Sequence, residues 1–194
     1  MTTTLSEISE LFDSAEKKIK LFEHLDDGLL FSAVNQLRYV SFHILRYHEI
    51  TDNDQKNEEL RKAKNHCQRA IYDIMEIGLV HYLEQIRDFE QDYRTVVIAD
   101  IVPTYLEINA MAKEVTMFLS NNTRKSLAER CDDRGDNYQE SIRRFHELHD
   151  ATEPLNSARS ELNKRMKNQK MTLIISIFAA ALTLAGVIIA LLKS

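Results

Sequence analysis

Three arginine–histidine pairs in this sequence share one spacing, with four residues between the arginine and the histidine. The pairs are Arg38/His43 in RYVSFH, Arg61/His66 in RKAKNH and Arg144/His149 in RFHELH. Histidine exchanges protons near neutral pH, and arginine stabilises the negative charge that grows on a phosphate oxygen. These residue types therefore suit cleavage of a phosphodiester without a metal ion.

The geometry of a helix opposes this chemistry within any one pair. Five residues along a helix correspond to a rotation of about 140°, so the two side chains share a face only where the helix is distorted. Two alternatives to catalysis therefore stay open for each pair. One is a structural role, and the other is binding of RNA or another ligand without cleavage.

The elements that carry these residues are predicted to be α-helices. The 194 residues include only four glycines and two prolines, and they are rich in Leu, Ile, Glu and Lys. Cys67 and Cys131 are far apart and form no CxxC pair, which favours reduced, structural thiols. The sequence has no metal-ligand spacing and no glycine-rich phosphate loop, so it predicts no cofactor and no metal ion.

Turn residues and helix caps divide the part before the tail into five predicted helices. The capping box of Thr4 and Glu7 opens the first helix, which stops at the DDG break of residues 26–28. The others are predicted over residues 29–50, 54–100, 103–120 and 124–149, the last with an interruption at Gly135. Pro154 is predicted to start a further helix that continues to residue 192. The expected fold class is all-α: a cytoplasmic antiparallel helical bundle with one C-terminal transmembrane helix.

The C-terminal segment MTLIISIFAAALTLAGVIIALLKS, residues 171–194, is the strongest single signal. It contains no charged residue before Lys193. As a helix, the apolar run from Met171 to Leu192 is about 33 Å long and spans a hydrocarbon core of about 30 Å. The alternative is a buried helix of a soluble core, which rarely needs 18 uninterrupted apolar residues.

Basic residues predict the orientation of this span. Four precede it, and Lys193 alone follows it: Lys164, Arg165, Lys167 and Lys170. Positive charge stays on the cytoplasmic side, so the expectation is a single-pass, tail-anchored protein with a cytoplasmic N-terminus. Residues 164–194 hold five basic and no acidic residues, so the preceding residues carry −10 within a total charge of −5. Such an acidic domain repels nucleic acid, and no extensive DNA-binding surface is expected.

One stripe of the predicted span consists of small residues at spacings of four and three. We call it the small-residue seam: Thr172, Ser176, Ala179, Thr183, Gly186 and Ala190. Lipid gives apolar helices no hydrophobic reason to associate, so close packing through small residues drives their association. The seam therefore predicts a homo-oligomer, and a ring of such helices could enclose a lumen lined by hydroxyls. The alternative is a simple anchor, because Ala and Gly are common in membrane helices.

The middle of the chain, SAVNQLRYVSFHILRYHE followed by ELRKAKNHCQRAIYDIMEI, resembles the paired helices of the HEPN superfamily. The residues that carry the resemblance are His66, Arg69, Ala70, Tyr72 and Asp73, together with the R-x4-H pairs. It covers about residues 28–150. In that superfamily the arginine and histidine form a metal-independent RNase site, usually across a dimer interface. The whole layout is similar to the small membrane accessory proteins of type VI-B CRISPR systems.

The sequence departs from catalytic HEPN motifs at one position. Those motifs usually place Asn, Asp or His directly after the arginine, whereas this chain has Tyr39, Lys62 and Phe145. We therefore expect little metal-independent RNase activity. If a pair is catalytic, the resemblance favours Arg144/His149, because the motif of the family normally lies in the last cytoplasmic helix.

The predicted organisation is a HEPN-like bundle over residues 1–153, a basic helical stalk over 154–170 and a transmembrane helix over 171–192. The resemblance implies a homo-oligomeric pore that permeabilises the bacterial inner membrane in antiphage defence, with an RNA-guided CRISPR effector or RNA as candidate partners. One alternative is a tail-anchored HEPN-type RNase. The other is a scaffold or adaptor that the tail merely localises.

Overall fold

The computed structural model describes residues 3–22, 27–123 and 134–193, with the backbone alone at 27–29, 122–123 and 187–193. All regular structure in these ranges is helical, which confirms the all-α prediction. The helices are α1 (Leu5–Phe22), α2 (Asp27–Glu49), α3 (Asn53–Asp92), α4 (Tyr105–Thr123) and α5 (Tyr138–Lys193), with a 3₁₀ turn at Ile98–Asp100.

Side-chain caps begin two of these helices. The backbone N–H of Glu7 donates to Oγ1 of Thr4 over 3.2 Å, as the predicted capping box requires. Asp52 accepts from the N–H of Gln55 over 2.9 Å and caps α3. Helix α2 already begins at Asp27, so its start lies inside the DDG segment that was predicted as a break. Asp26 itself lies outside the described residues.

Successive helices run in alternating directions, so α1, α3 and α5 point the same way. Helices α3 and α5 are parallel, because later residues of α3 contact later residues of α5. Gly78 faces Phe145, and the hydroxyl of Tyr93 donates to Asn163. The stripe of α5 that packs on the bundle buries a leucine every seventh residue, at Leu148, Leu155 and Leu162. The core therefore lies along α3, which contacts every other helix.

Helix α3 ends at Asp92, and the prediction that it reaches residue 100 was wrong. The chain turns at Tyr93, whose N–H donates to the carbonyl of Phe89, and it then buries Val96 and Ile98. A continuing helix would carry these residues away from the core, so burial outweighs helical propensity here. Helix α4 starts at Tyr105, two residues after Pro103, and continues to Thr123, three residues beyond the predicted end.

Pro154 lies inside α5, and the prediction that it starts a new helix was wrong. A proline in a helix interior removes one hydrogen bond and costs about 3 kcal/mol. Leu148 and Leu155 are both buried against the bundle and hold the helix on either side of the proline. In addition, the hydroxyl of Thr152 donates to the carbonyl of His149 over 2.7 Å. The predicted domain division at residue 153 therefore falls within one continuous helix.

Gly78 allows three helices to cross closely. A Cβ atom at this position would lie 2.7 Å from Cε2 of Phe145 on α5 and 2.7 Å from Cζ of Phe22 on α1. Both rings are buried and meet edge to face, with centroids 5.4 Å apart. Neither ring can move without disturbing the core.

Gly78→Ala is expected to lower the free energy of unfolding. Overpacking of this kind costs about 1–3 kcal/mol, and the gain in helix propensity of about 1 kcal/mol offsets only part of it. Urea unfolding of the detergent-solubilised chain, followed by circular dichroism, measures the change. Gly135→Ala is the matched control, because its nearest new contact, Oε1 of Gln68, would lie at 3.9 Å. Equal stability of the two variants would contradict this account of Gly78.

Candidate functional site

Helices α2 and α3 form an antiparallel hairpin that carries polar residues along one side. We call this side the polar seam. Its members recur at spacings of three and four, the period that keeps residues on one face of a helix. They are Ser32, Gln36, Tyr39 and His43 on α2, and Glu59, Lys62, His66, Arg69, Asp73 and Glu76 on α3.

Hydrogen bonds between side chains join the two helices along the seam. Nδ1 of His43 lies 2.7 Å from Oε2 of Glu59, and Nδ1 of His66 lies 2.7 Å from Oε1 of Gln36. The hydroxyl of Ser32 donates to Oδ2 of Asp73 over 2.6 Å. These pairings fix the register of the hairpin, because a slip along the helix would leave buried polar groups without partners.

Aromatic rings stack across the hairpin between these hydrogen bonds. The ring of His66 lies between those of Tyr39 and His43, with centroid distances of 5.2 and 5.1 Å and interplanar angles of 25° and 17°. The guanidinium of Arg38 lies 5.4 Å from the centroid of Tyr39 at the outer end of the stack. Tyr39 and its neighbour Phe42 are about half exposed, at 45% and 54%. The stack therefore begins at the surface and continues inward.

The environment of the stack shifts the charge states of two groups. Burial, followed by the positive charges of Arg69 and His43, lowers the pKa of His66 from 6.5 to about 4. His66 is therefore neutral at physiological pH. The hydrogen bond from His43, followed by that from Lys62, lowers the pKa of Glu59, so this carboxylate is ionised.

The pair of His43 and Glu59 has the arrangement of a proton acceptor held by a carboxylate. Glu59 accepts from the Nδ1 proton of His43, which leaves Nε2 of the ring to take a proton. However, the side chains of His43 and Glu59 are only 12% and 11% exposed. A substrate could reach this nitrogen only after the stack opened, so the closed hairpin favours a structural role.

The far end of the seam holds the segment that precedes α5. Nη1 of Arg134 donates to Oδ1 of Asp73 over 2.9 Å, and Nη2 donates to Glu76 over 3.4 Å. Burial raises the pKa of Asp73, which is 4% exposed, although Ser32 and Arg134 both oppose this shift. Arg134 thus ties the segment before α5 to the α2–α3 hairpin.

In each R-x4-H pair the arginine and the histidine hold different partners. Arg61 donates to Glu58 through Nε and Nη2, whereas His66 bonds Gln36. Arg144 donates to Glu140 and lies over the ring of Phe118, 5.0 Å from its centroid. The structure instead brings together the histidines of the first two pairs, His43 and His66. This contact between helices was not predicted.

His149, the favoured catalytic histidine, lines a cavity of about 280 Å³ between α1, α3 and α5. His81 and His146 share this cavity, together with Leu21, Phe22, Tyr82 and Phe145. The ring of His149 meets that of Tyr82 edge to face, and its Nδ1 lies 3.0 Å from Oδ1 of Asp150. Within the described ranges, no three His, Cys, Asp or Glu side chains are placed to hold a metal ion.

The small-residue seam of the tail lies on α5 beyond the bundle, and its described residues are exposed in the single chain. The hydroxyls of Thr172, Ser176 and Thr183 each donate to the carbonyl four residues earlier, over 3.0, 2.9 and 2.6 Å. A Cβ atom at Gly186 would meet no other atom within 4 Å. At Ala190 only the backbone is described.

The chain matches no protein-family model, and no curated protein or solved structure is significantly similar to it. The HEPN resemblance therefore rests on the residues quoted above and stays a hypothesis. Three of the residues that carry the resemblance lie in the polar seam: His66, Arg69 and Asp73.

We expect the stability of the bundle to fall as the pH is lowered from 6.5 towards 4. In this range His66 takes up a proton in the unfolded chain but stays neutral in the folded one, so protonation favours unfolding. His66→Gln, which does not titrate, should reduce this dependence, and His48→Gln at an exposed position should not. Urea midpoints across this pH range measure the effect. An unchanged slope in His66→Gln would show that His66 is not buried as described.

We expect the purified protein to show little cleavage of single-stranded RNA in the presence of a metal chelator. Arg144 and His149 face different neighbours, and His43 is enclosed. His149→Ala and His43→Ala should therefore leave the background rate unchanged. Robust chelator-resistant cleavage that disappears in either variant would favour the RNase alternative.

Proposed function

We propose that the protein is anchored in the bacterial inner membrane by the end of α5, self-associates there, and forms or gates a path through the bilayer. One observation carries this proposal. Helix α5 continues without a break from the bundle core into an apolar segment that is exposed on all sides. Among the helices of the described ranges, it alone is long and apolar enough to cross a membrane.

The exposed side chains of this segment supply the energetic argument. Between Met171 and Leu184, eight large apolar side chains are 49–73% exposed. Full burial of such a side chain is worth about 1.5–3 kcal/mol, so leaving all eight in water is strongly unfavourable. A hydrocarbon layer of about 30 Å matches the length of the apolar run and removes this cost. The basic residues from Lys164 to Lys170 favour placing the bundle on the cytoplasmic side.

The continuity of α5 supports a gating role rather than a passive anchor. Leu155 and Leu162 are packed in the bundle, and Met171 is only two to three helical turns further along the same helix. A rotation of the bundle is therefore transmitted directly to the span. A flexible linker would have separated the two motions.

Self-association is supported by the small-residue seam. Gly186 and Ala179 allow two helix backbones to approach closely, which is the main source of helix affinity in lipid. The hydroxyls on the same stripe already bond within their own helix, so no polar group is left without a partner in lipid. The antiphage setting and an RNA-guided partner rest on the resemblance alone and stay predictions.

Gly186→Leu should weaken assembly without affecting insertion. In the single chain a Cβ atom at this position contacts no other part of the described structure, so an effect on assembly would come from another copy. Overpacking at a helix contact costs about 1–3 kcal/mol, repeated at each equivalent contact. The oligomer mass in detergent and dye leakage from cells expressing the protein measure the two consequences.

Ala181→Leu is the matched control, because residue 181 lies about 140° from Gly186 on the helix and on the face opposite the seam centre. It should assemble and leak like the wild type. If Gly186→Leu also assembles and leaks like the wild type, the small-residue seam is not the interface between copies. A wild type that is monomeric in detergent and never leaks would favour the scaffold alternative.

A further inference from the structure

The loop between α3 and α4 is attached to the part of α5 that precedes the span. We call residues 93–104 the basal loop. The hydroxyl of Tyr93 donates to Oδ1 of Asn163 over 3.1 Å, and Nη1 of Arg165 lies 3.5 Å from Oδ2 of Asp100. Since α1, α3 and α5 share one direction, this loop lies at the end of the bundle nearest to the apolar segment.

The position along α5 sets the height of the basal loop above the hydrocarbon. Met166 is the last α5 residue that packs against the core, and residues 167–186 are exposed. Five residues separate Met166 from Met171, a rise of about 7.5 Å. The headgroup region on each side of a bilayer is about 5–7 Å thick. The last contact of α5 with the core therefore lies at the outer edge of the lipid headgroups, and Arg165, which contacts Asp100 of the basal loop, lies about 9 Å before Met171 along the helix.

The basal loop presents apolar side chains at this end although it is firmly held. Val97 is 64% exposed, while Val96 and Ile98 on either side of it are buried. The N–H of Val96 donates to Tyr93 over 2.9 Å, and that of Val102 donates to Ile98 over 2.9 Å. Val97 is thus directed outward by an ordered turn. Leu106, nine residues later in the first turn of α4, is 71% exposed.

We propose that the basal loop is a second membrane contact, in which Val97 and Leu106 insert into the interfacial region of the same bilayer. This proposal rests on the proposed insertion of α5. Apolar side chains at this depth gain from leaving water in the way that the apolar face of an interfacial helix does. The loop would hold the bundle upright on the membrane surface.

The charges near the loop are compatible with a lipid surface. Asp92, which precedes the loop, and Asp100, which lies within it, are paired with basic residues of α5: Asp92 with Arg159 at 3.4 Å and Asp100 with Arg165 at 3.5 Å. Arg94 is exposed at the start of the loop, and Lys164 and Lys167 are exposed on the adjacent turn of α5. These three basic side chains could contact lipid phosphates. Glu107 is exposed next to Leu106, and its negative charge favours a bilayer surface with few anionic lipids.

Single-cysteine variants with an environment-sensitive fluorophore test this contact. Cys131→Ala removes one native thiol. Cys67 is fully buried, which also raises the pKa of its thiol to about 12, so it is not expected to label at neutral pH. Val97→Cys and Leu106→Cys report on the loop. Met117→Cys is the matched control: this residue is also exposed, at 58%, but it lies 11 residues further along α4, about 16 Å from Leu106. Leu182→Cys reports on the span itself.

Each variant is reconstituted in vesicles of phosphatidylcholine with a minority of phosphatidylglycerol. Spin-labelled lipids that quench at the headgroup should quench the probes at Val97 and Leu106 several-fold more than the probe at Met117. A deep quencher should act on the probe at Leu182. Circular dichroism confirms that each labelled variant is folded.

The other outcomes separate the two proposals. Strong quenching at Leu182 with equal, weak quenching at Val97, Leu106 and Met117 would overturn the loop contact and retain the membrane anchor. No quenching at Leu182 would overturn the anchor and the loop contact together. Loop probes that are shielded from water without lipid quenching, in detergent as well as in vesicles, would indicate a protein neighbour and overturn the lipid contact.

Discussion

Helix α5 buries Leu148, Leu155 and Leu162 in the core that lies along α3, and this packing positions both the bundle and the apolar tail. The close approach at Gly78 brings the rings of Phe22 and Phe145 together, which joins α1 to the same pair of helices. The contact also resists the interruption that Pro154 would otherwise cause. Because the apolar segment continues the same helix, the packing that builds the bundle also directs the tail away from it.

The polar seam between α2 and α3 sets the register of two helices rather than their position in the core. A hairpin sealed only by apolar residues could slip by one heptad with little loss, whereas buried polar pairs accept one register. Burying these groups is unfavourable. His66 stays neutral in the folded chain, and the carboxylate of Asp73 is buried beside Arg134. These buried polar pairs determine the register of α2 and α3 even where they contribute little to the free energy of unfolding.

The helices and the apolar tail could be predicted from the sequence, because periodicity and uninterrupted length are local properties of a chain. The end of α3 and the continuity through Pro154 could not, since burial of Val96, Ile98 and Leu155 depends on distant residues. The same reason explains the histidines. Spacing within one helix suggested arginine–histidine pairs, while the contact between His43 and His66 crosses two helices. The seven-residue spacing of Glu59, His66 and Asp73 was the available sign of a polar interface.

In the proposed pore, the hydroxyls of Thr172, Ser176 and Thr183 would influence ion selectivity. Each hydroxyl donates its proton to a carbonyl of its own helix. Its oxygen can therefore only accept hydrogen bonds from a neighbouring group. Where these hydroxyls faced a lumen rather than the neighbouring helix, they would present acceptors and no donors to it. Water could orient its hydrogens towards such a wall, and cations would be favoured over anions of the same size.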